Sequence, residues 1–388
     1  MHLLLTVPPI AKMFYHIGVA LIFFLYIIYR WLSRPLNRIR RLGDVGLYFN
    51  DSRLKGTRSD VQIERARRLR AIGDIPPVYP NGWFCIAESD QIQPKEVRGI
   101  VVFASFNVGG RVVDDNCVQC PFHGWIFSGE SGKCTRIPYN TQTIPEQAKV
   151  SVWPVVERNR HVYVWCVPEI EEVASGEWAY KGRTEHEIQC HVQDLPENGS
   201  DLAHLNYLHL AGVNKGNYNA PSNSQHIWDG RWEPQPEPNR HIAIMYLDQV
   251  MTVMKMRIPL TSSSLRAKQI GPGIVHMMFD FAWLGRGVVM HHFRVLSIFL
   301  WRLATCLRHI TLPRYFFLKL LSIAALLQFE RDIFIWNNKR YVRPPILVKN
   351  DGPIGKHRRW YSQFYSENSP KLNKDGTLTN QPKSVLDW

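Results

Sequence analysis

The alternation of apolar and polar positions divides the 388-residue chain into three stretches of different character. Residues 13–32, MFYHIGVALIFFLYIIYRWL, form an apolar run with no permanent charge before Arg30. About 20 apolar residues span the hydrocarbon core of a bilayer, so the run predicts a transmembrane helix. Arg30, Arg34, Arg38, Arg40 and Arg41 lie at its end and beyond. A cleaved signal peptide carries its charges ahead of the apolar run, and the basic flank of a span stays in the cytosol. The expectation is an uncleaved single-pass anchor with the rest of the chain cytosolic. Pro76-Pro77, Pro80 and Asn81-Gly82 then mark entry into a new unit. From Trp83 to about Cys166, short β-type runs such as 100–103 and 162–165 are separated by Gly, Asn and Asp, which predicts a small all-β module. After a break near 169–182, strand-like alternation occupies 240–259 and 274–293, with helical stretches near 194–210 and 295–340. Within the last of these, 295–329 reads as two amphipathic helices parted at Pro313, suited to lying on a membrane or covering an apolar cavity. The fold class is α+β, with an anchor and basic juxtamembrane segment over 1–45, an all-β domain over 75–180 and a domain built on an antiparallel sheet over 181–388.

Charge sharpens the membrane reading. The formal net charge is +14, which calls for an acidic partner: nucleic acid, an anionic bilayer or an acidic protein. Residues 30–70 hold twelve basic and four acidic side chains, a local excess of +8. Arg294, Arg302, Arg308, Arg314 and Lys319 add +5 with no acid through residue 329. The rest of the chain is nearly neutral, and no nucleic-acid recognition motif accompanies the charge. The excess therefore points to anionic headgroups or an acidic redox partner, and away from nucleic acid. The seven cysteines are odd in number and unevenly spaced, unlike a secreted disulfide framework.

Two constellations carry candidate chemistry. Residues 117–125 read Cys-Val-Gln-Cys-Pro-Phe-His-Gly-Trp, placing Cys120 and His123 in a turn-rich loop. A thiolate and an imidazole so close suit zinc or a mixed-ligand [2Fe–2S] centre. Zinc needs two further ligands, and Cys117 and Cys134 complete no familiar zinc spacing; a plain turn with buried cysteines is the alternative. Residues 194–209 contain Glu197-Asn198, Asp201, His204 and His209 in the spacing E-N-x-x-D-x-x-H-x4-H. Two imidazoles and one carboxylate leaving open positions make the facial triad of non-haem Fe(II) oxygenases. A His pair alone would more simply be two polar helix residues.

The longer strings decide between these readings. Val108-Gly-Gly-Arg-Val-Val, Cys120-Pro-Phe-His-Gly-Trp and Gly132-Lys-Cys-Thr-Arg-Ile-Pro resemble the second cluster loop of Rieske proteins, whose cluster takes two Cys on one iron and two His on the other. The 194–209 string resembles the catalytic motif of Rieske oxygenases, and so does the tail from Ile354 to Tyr365. With its anchor, the chain is most similar to the Neverland-type cholesterol 7-desaturases of insects and nematodes. The resemblance implies a Rieske domain and a helix-grip-like catalytic domain. It implies a [2Fe–2S] cluster held in part by Cys120 and His123. A mononuclear Fe(II) would be held by His204, His209 and Asp332 from the late string Gln328-Phe-Glu-Arg-Asp, with Glu330 the lesser candidate. It also implies conversion of cholesterol to 7-dehydrocholesterol with O2, early in steroid hormone synthesis, at the endoplasmic reticulum membrane. Electrons would come from NAD(P)H through a reductase. In a homotrimer Asp201 would bridge to His123 of a neighbouring subunit, with Asn198 beside it in the catalytic motif. A Rieske steroid hydroxylase, like the ketosteroid 9α-hydroxylases, is the alternative.

The sequence departs from the family at one place. Rieske ligands come as C-x-H and then C-x-x-H, and only the second pair is present. No histidine occurs between His16 and His123. The stretch from Gly99 to Gly109 reads as the strand before the first ligand loop joined to the sequence after it, as if an internal segment were absent. As written, the chain is expected to lack a normal Rieske cluster, which makes an inactive sterol-binding or regulatory isoform a third reading.

Overall fold

The computed structural model describes residues 9–45, 61–65, 73–98, 110–164, 178–210, 223–282, 285–294, 298–306, 312–342, 345–348, 351–367, 369–372 and 378–379. The junction at 99–109 lies outside them.

Helix α1 (Pro9–Ser33) presents an exposed, almost wholly apolar surface from Met13 to Trp31. Its segment Met13–Ser33 is long and apolar enough to cross a bilayer, and none of its most apolar stretch is buried in the protein. The arginine-rich segment behind it also joins the large unit. Leu36–Arg40 is a strand, β1, and its basic side chains are partly committed to protein contacts. Arg40 pairs with Glu330 at 2.9 Å, and Arg41 pairs with Glu187 at 3.0 Å. A strand at a sheet edge accepts charged residues because one flank and one face stay in water.

The small β module has two sheets. Strands β2 (Phe84–Glu88), β7 (Val155–Arg158) and β8 (His161–Val164) form one in the order β2-β8-β7. Strands β3 (Arg111–Val113), β4 (Cys117–Gln119), β5 (Ile126–Ser128) and β6 (Cys134–Arg136) form a meander in sequence order. All these pairings are antiparallel. The β7–β8 turn is Asn159-Arg160, with φ of 52° and 60°, the left-handed pair that two-residue hairpins need.

The large unit is an eight-stranded sheet of β1, β9 (Trp178–Glu187), β10 (Ser224–Pro234), β11 (Ile242–Val253), β12 (Met256–Ile270), β13 (Ile274–Asp280), β14 (Arg286–Arg294) and β15 (Ile298–Cys306). Their order is β1-β9-β15-β14-β13-β12-β11-β10, antiparallel except for the β1–β9 edge pair. Short helices α2 (Asp194–Glu197) and α3 (Leu202–Leu208) follow β9; α4 (Leu312–Asn338) and α5 (Ile354–Tyr361) follow the sheet. Helix α4 packs Phe329, Ile333 and Trp336 against Val289 and Phe293 of β14, Ile188 and Val192. Helix α5 and its following turn place Trp360, Tyr361, Phe364 and Tyr365 on Trp232, Met245 and Leu265 of the other half of the sheet.

Two expectations for 295–340 are corrected here. Residues 298–306 are strand rather than helix, because a short apolar run has no diagnostic period. Pro313 does not separate two helices; it is the second residue of α4, within the first turn, where its missing N–H is harmless. The part of α4 beyond residue 323 does cover an apolar cavity, as described below.

Docking of β1 depends on Gly182, whose φ is +149°. A Cβ there would lie 2.3 Å from the Leu36 carbonyl oxygen and 2.7 Å from its nitrogen. Gly182→Ala is expected to loosen β1 and destabilise the fold by about 2 kcal/mol, seen as a lowered Tm. An unchanged Tm would show that β1 contributes nothing to the sheet.

Candidate metal centre and apolar cavity

His204, His209 and Asp332 each offer a ligand atom, and these atoms lie within 4.8 Å of one another. His204 is on α3 and His209 is its C-terminal capping residue. Asp332 comes from α4, 123 residues beyond His209 in the sequence. Asp332 Oδ1 is 3.1 Å from His209 Nε2 and 4.0 Å from His204 Nε2. The 3.1 Å separation suits two ligands of one ion, and the 4.0 Å one is wider than the roughly 3.3 Å between neighbouring ligands about 2 Å from a metal, so a bound ion would draw His204 inward.

Both imidazoles are oriented by their far nitrogens. His209 Nδ1–H donates to Gln328 Oε1 at 2.6 Å, and Arg331 donates to the same oxygen at 3.0 Å. His204 Nδ1–H donates to the Asp201 carbonyl. A neutral imidazole that donates from Nδ1 keeps its lone pair on Nε2, the usual outer-shell arrangement around a metal. Burial pushes His209 toward the neutral form, but the Asp332 carboxylate outweighs burial and raises its pKa above the ordinary value. The pocket therefore favours a positive charge between these groups.

Asp201 caps α3, its Oδ1 accepting from His204 N at 3.3 Å. Its Oδ2 lies 3.9 Å from His204 Nδ1. Asn198 lines the cavity beside the triad. Glu330, one step from Asp332 on the sequence pattern, points elsewhere, to Arg40 and the buried His186. Burial alone would raise its pKa, but His186 and Arg40 together hold it below the ordinary carboxylate value. The structure thus brings Asp332, not Glu330, to the two histidines.

Pairings that the sequence does not show hold this arrangement in place. Glu197 accepts two bonds from Arg358 of α5, at 2.9 and 2.7 Å. Asp194 pairs with Lys339 at 2.6 Å and accepts from the Tyr341 hydroxyl and from His191 N. Gln328 was recoverable from spacing: it precedes Asp332 by four residues and so shares its helix face. Nothing local in the sequence joins Glu197 to Arg358.

The triad opens into a cavity of about 280 Å³. Its walls are Leu205, Leu247, Leu265, Val275, Met277, Phe279, Val289 and Phe293, closed on one side by Ala324, Ala325 and Phe329 of α4. Such a wall takes up a rigid apolar molecule and excludes water from the metal end.

The sequence matches the 3-ketosteroid 9alpha-hydroxylase C-terminal domain over residues 152–291 and 317–365, and the Rieske [2Fe-2S] domain over residues 103–154. A cholesterol 7-desaturase of Caenorhabditis elegans is 48% identical over 99% of this chain and 98% of its own length. The chain belongs to the cholesterol 7-desaturase family. Another relative, the cholesterol 7-desaturase nvd of Xenopus laevis, is 37% identical over 89% of this chain and 84% of its own. Among solved structures, the Pseudomonas putida CBB5 NdmA QL mutant with caffeine shares the fold, with a TM-score of 0.51 and 14% identity over 72% of this chain and 88% of that one.

The pair Cys120 and His123 lies within the Rieske match. Cys120 and His123 sit on the β4–β5 loop, folded by hydrogen bonds from Cys120 N to the Trp125 carbonyl (2.8 Å) and from Gly124 N to the Cys120 carbonyl (3.0 Å). His123 is exposed between Phe122 and Tyr139. Among the described residues, no group of three ligand-type side chains assembles around Cys120, and the 99–109 segment contains neither Cys nor His. A four-ligand [2Fe–2S] centre does not fit these residues. The match to the nematode relative runs over 428 aligned positions against 388 residues here, so at least 40 of them fall opposite gaps in this chain.

Gln328→Ala, leaving every ligand in place, is expected to weaken Fe(II) binding about 10- to 100-fold by releasing the His209 ring; unchanged affinity in a metal titration would remove Gln328 from the site. Glu197→Gln is expected to cost about 3 kcal/mol in thermal unfolding by leaving Arg358 without its carboxylate. An effect within the scatter of surface substitutions would mean the pair is structurally idle.

Proposed function

We propose that this chain is a cholesterol 7-desaturase by design of its catalytic domain. The overall reaction takes cholesterol, O2, NAD(P)H and a proton to 7-dehydrocholesterol, NAD(P)+ and two waters. The observation that carries the reading is the convergence of His204, His209 and Asp332 at one end of an otherwise apolar cavity. A mononuclear Fe(II) bound there supplies O2 activation and removal of hydrogen from an unactivated carbon. The chain's own part is to hold that ion with two Nε2 atoms and one carboxylate, to fix the His209 ring through Gln328, and to present a sterol against a dry wall. Asn198 lines the same cavity, and Asp201 caps the helix that carries His204. Asp201, already turned toward His204, is suited to relay electrons to that imidazole from His123 of a neighbouring subunit in a trimer.

The membrane enters through α4. Lys319 of α4 donates to the Arg34 carbonyl at 2.8 Å and lies over the Trp31 ring at the end of α1. The same helix then runs on to Ala324, Ala325 and Gln328 in the cavity wall. With α1 as a single-pass anchor in the endoplasmic reticulum, this contact would set the cavity wall beside the bilayer in which the sterol is dissolved. A reductase drawing on NAD(P)H would approach from the cytosolic side.

One observation favours a second reading: with only Cys120 and His123 as cluster ligands, the chain binds a sterol without turning it over. Expression with a reductase, NAD(P)H and cholesterol, followed by sterol analysis, separates these. The expected result is 7-dehydrocholesterol only after a segment containing Cys-x-His is inserted between 99 and 109, with cholesterol bound but unchanged before that. Product from the 388-residue chain itself would overturn the argument for an incomplete cluster. A hydroxysterol as the sole product of the completed chain would replace desaturation by steroid hydroxylation.

A further inference from the structure

A second cluster of ligand-type side chains lies where the small β module meets the large sheet. Cys85 comes from β2, His161 from β8 and His292 from β14. All three are buried, and one ligand atom from each lies within 4.8 Å of the others. The two imidazole rings have centroids 4.4 Å apart. None of the three belongs to the iron triad or to the Cys120 loop.

Each histidine is held in the manner of a metal ligand. His161 Nδ1–H donates to the Asn159 carbonyl at 2.8 Å, aimed there by the left-handed Asn159-Arg160 turn. That tautomer keeps the lone pair on Nε2. His292 Nε2 is bonded to the Tyr163 hydroxyl at 2.9 Å; with Nε2–H as donor, the lone pair lies on Nδ1. Cys85 Sγ lies 3.5 Å from the Ala87 carbonyl and holds its proton there in the metal-free chain. One thiol and two imidazoles in an apolar surround of Trp83, Tyr163, Ile270 and Ile274 form a soft to borderline donor set.

We propose that Cys85, His161 and His292 bind a zinc(II) ion that ties the small β module to the catalytic sheet, with a water as fourth donor. Binding converts the Cys85 thiol to a thiolate, releases its proton to solvent and moves no electron. Zinc suits the set because it combines Cys and His in tetrahedral sites and has no redox chemistry to disturb nearby electron transfer. The ion adds to ties already present between the same surfaces, Glu88 with Arg183 at 2.6 Å and Tyr163 with His292.

The test uses the full chain in detergent, loaded with zinc and washed with a weak chelator. Wild type is expected to retain about one zinc per chain by elemental mass spectrometry, and Cys85→Ser and His161→Ala to retain at least tenfold less. Cobalt(II) in place of zinc should give a thiolate-to-cobalt charge-transfer band that is lost in Cys85→Ser and kept in His209→Ala and Cys120→Ser. A wild-type chain that retains no zinc overturns the proposal. So does a band that survives Cys85→Ser or vanishes in Cys120→Ser, or retention of another metal in preference to zinc. Thermal unfolding guards against a misfolded variant: added zinc should raise the Tm of wild type and leave that of Cys85→Ser where it is. Equal shifts in both, or no shift in wild type, count against the site.

Discussion

Asp194 and Glu197 are two carboxylates three residues apart, both nearly removed from solvent, and the rest of the catalytic site depends on how they are neutralised. Two buried negative charges so close are strongly unfavourable unless cations come to them. The cations arrive from two separate elements: Lys339 just past the end of α4, and Arg358 within α5. Lys339 follows Asp332 by seven residues, close to two helical turns, so fixing Lys339 at Asp194 also fixes the rotation of α4 that presents Asp332. On the other side, the anchored α2 leads within seven residues to His204. One pair of buried acids thereby sets the phase of both ligand-bearing segments. Burial on its own would lower the Lys339 pKa, but Asp194 and Glu197 outweigh it and raise it, so the charge on that lysine is secure.

A second layer of control acts on individual atoms. Arg331 points at Gln328, Gln328 at His209, and His209 at Asp332. Each link comes from α4 or ends on it, so the helix that supplies the carboxylate also sets the tautomer of one imidazole. The same helix turns its apolar side chains to the sheet and the cavity. Ion binding and substrate enclosure therefore cannot move independently, which is what a site that must exclude water around a reactive metal requires.

How much of this was legible in the sequence follows from how far apart the cooperating residues lie. His204, His209 and the Asp201 cap sit within nine residues, and a fixed spacing recorded them. Asp332 was reachable only through the family resemblance. The strand at 298–306 was misread because a short apolar run carries no period that separates strand from helix. Arg40 and Arg41, which read in sequence as part of a basic membrane flank, also meet Glu330 and Glu187 in the folded chain. Arg358 with Glu197, and Cys85 with His161 and His292, join positions separated by 76 to 207 residues. Nothing in the local sequence pairs them, and only the topology makes them partners.

The small module's strands and loops are tied by their own hydrogen bonds. The β3–β6 meander is paired strand to strand, and the Cys120 loop is shaped by its amide hydrogen bonds and by Gln119 Nε2 donating to the Gly124 carbonyl at 3.3 Å. The three side chains that converge at the cavity, His204, His209 and Asp332, lie outside that module. The small module meets the large sheet where Trp83, Cys85 and Tyr163 pack with Ile270 and Ile274 at the β12–β13 turn, beside β14, whose His292 bonds Tyr163. The module buries part of the large sheet there, which gives it a structural role independent of electron transfer.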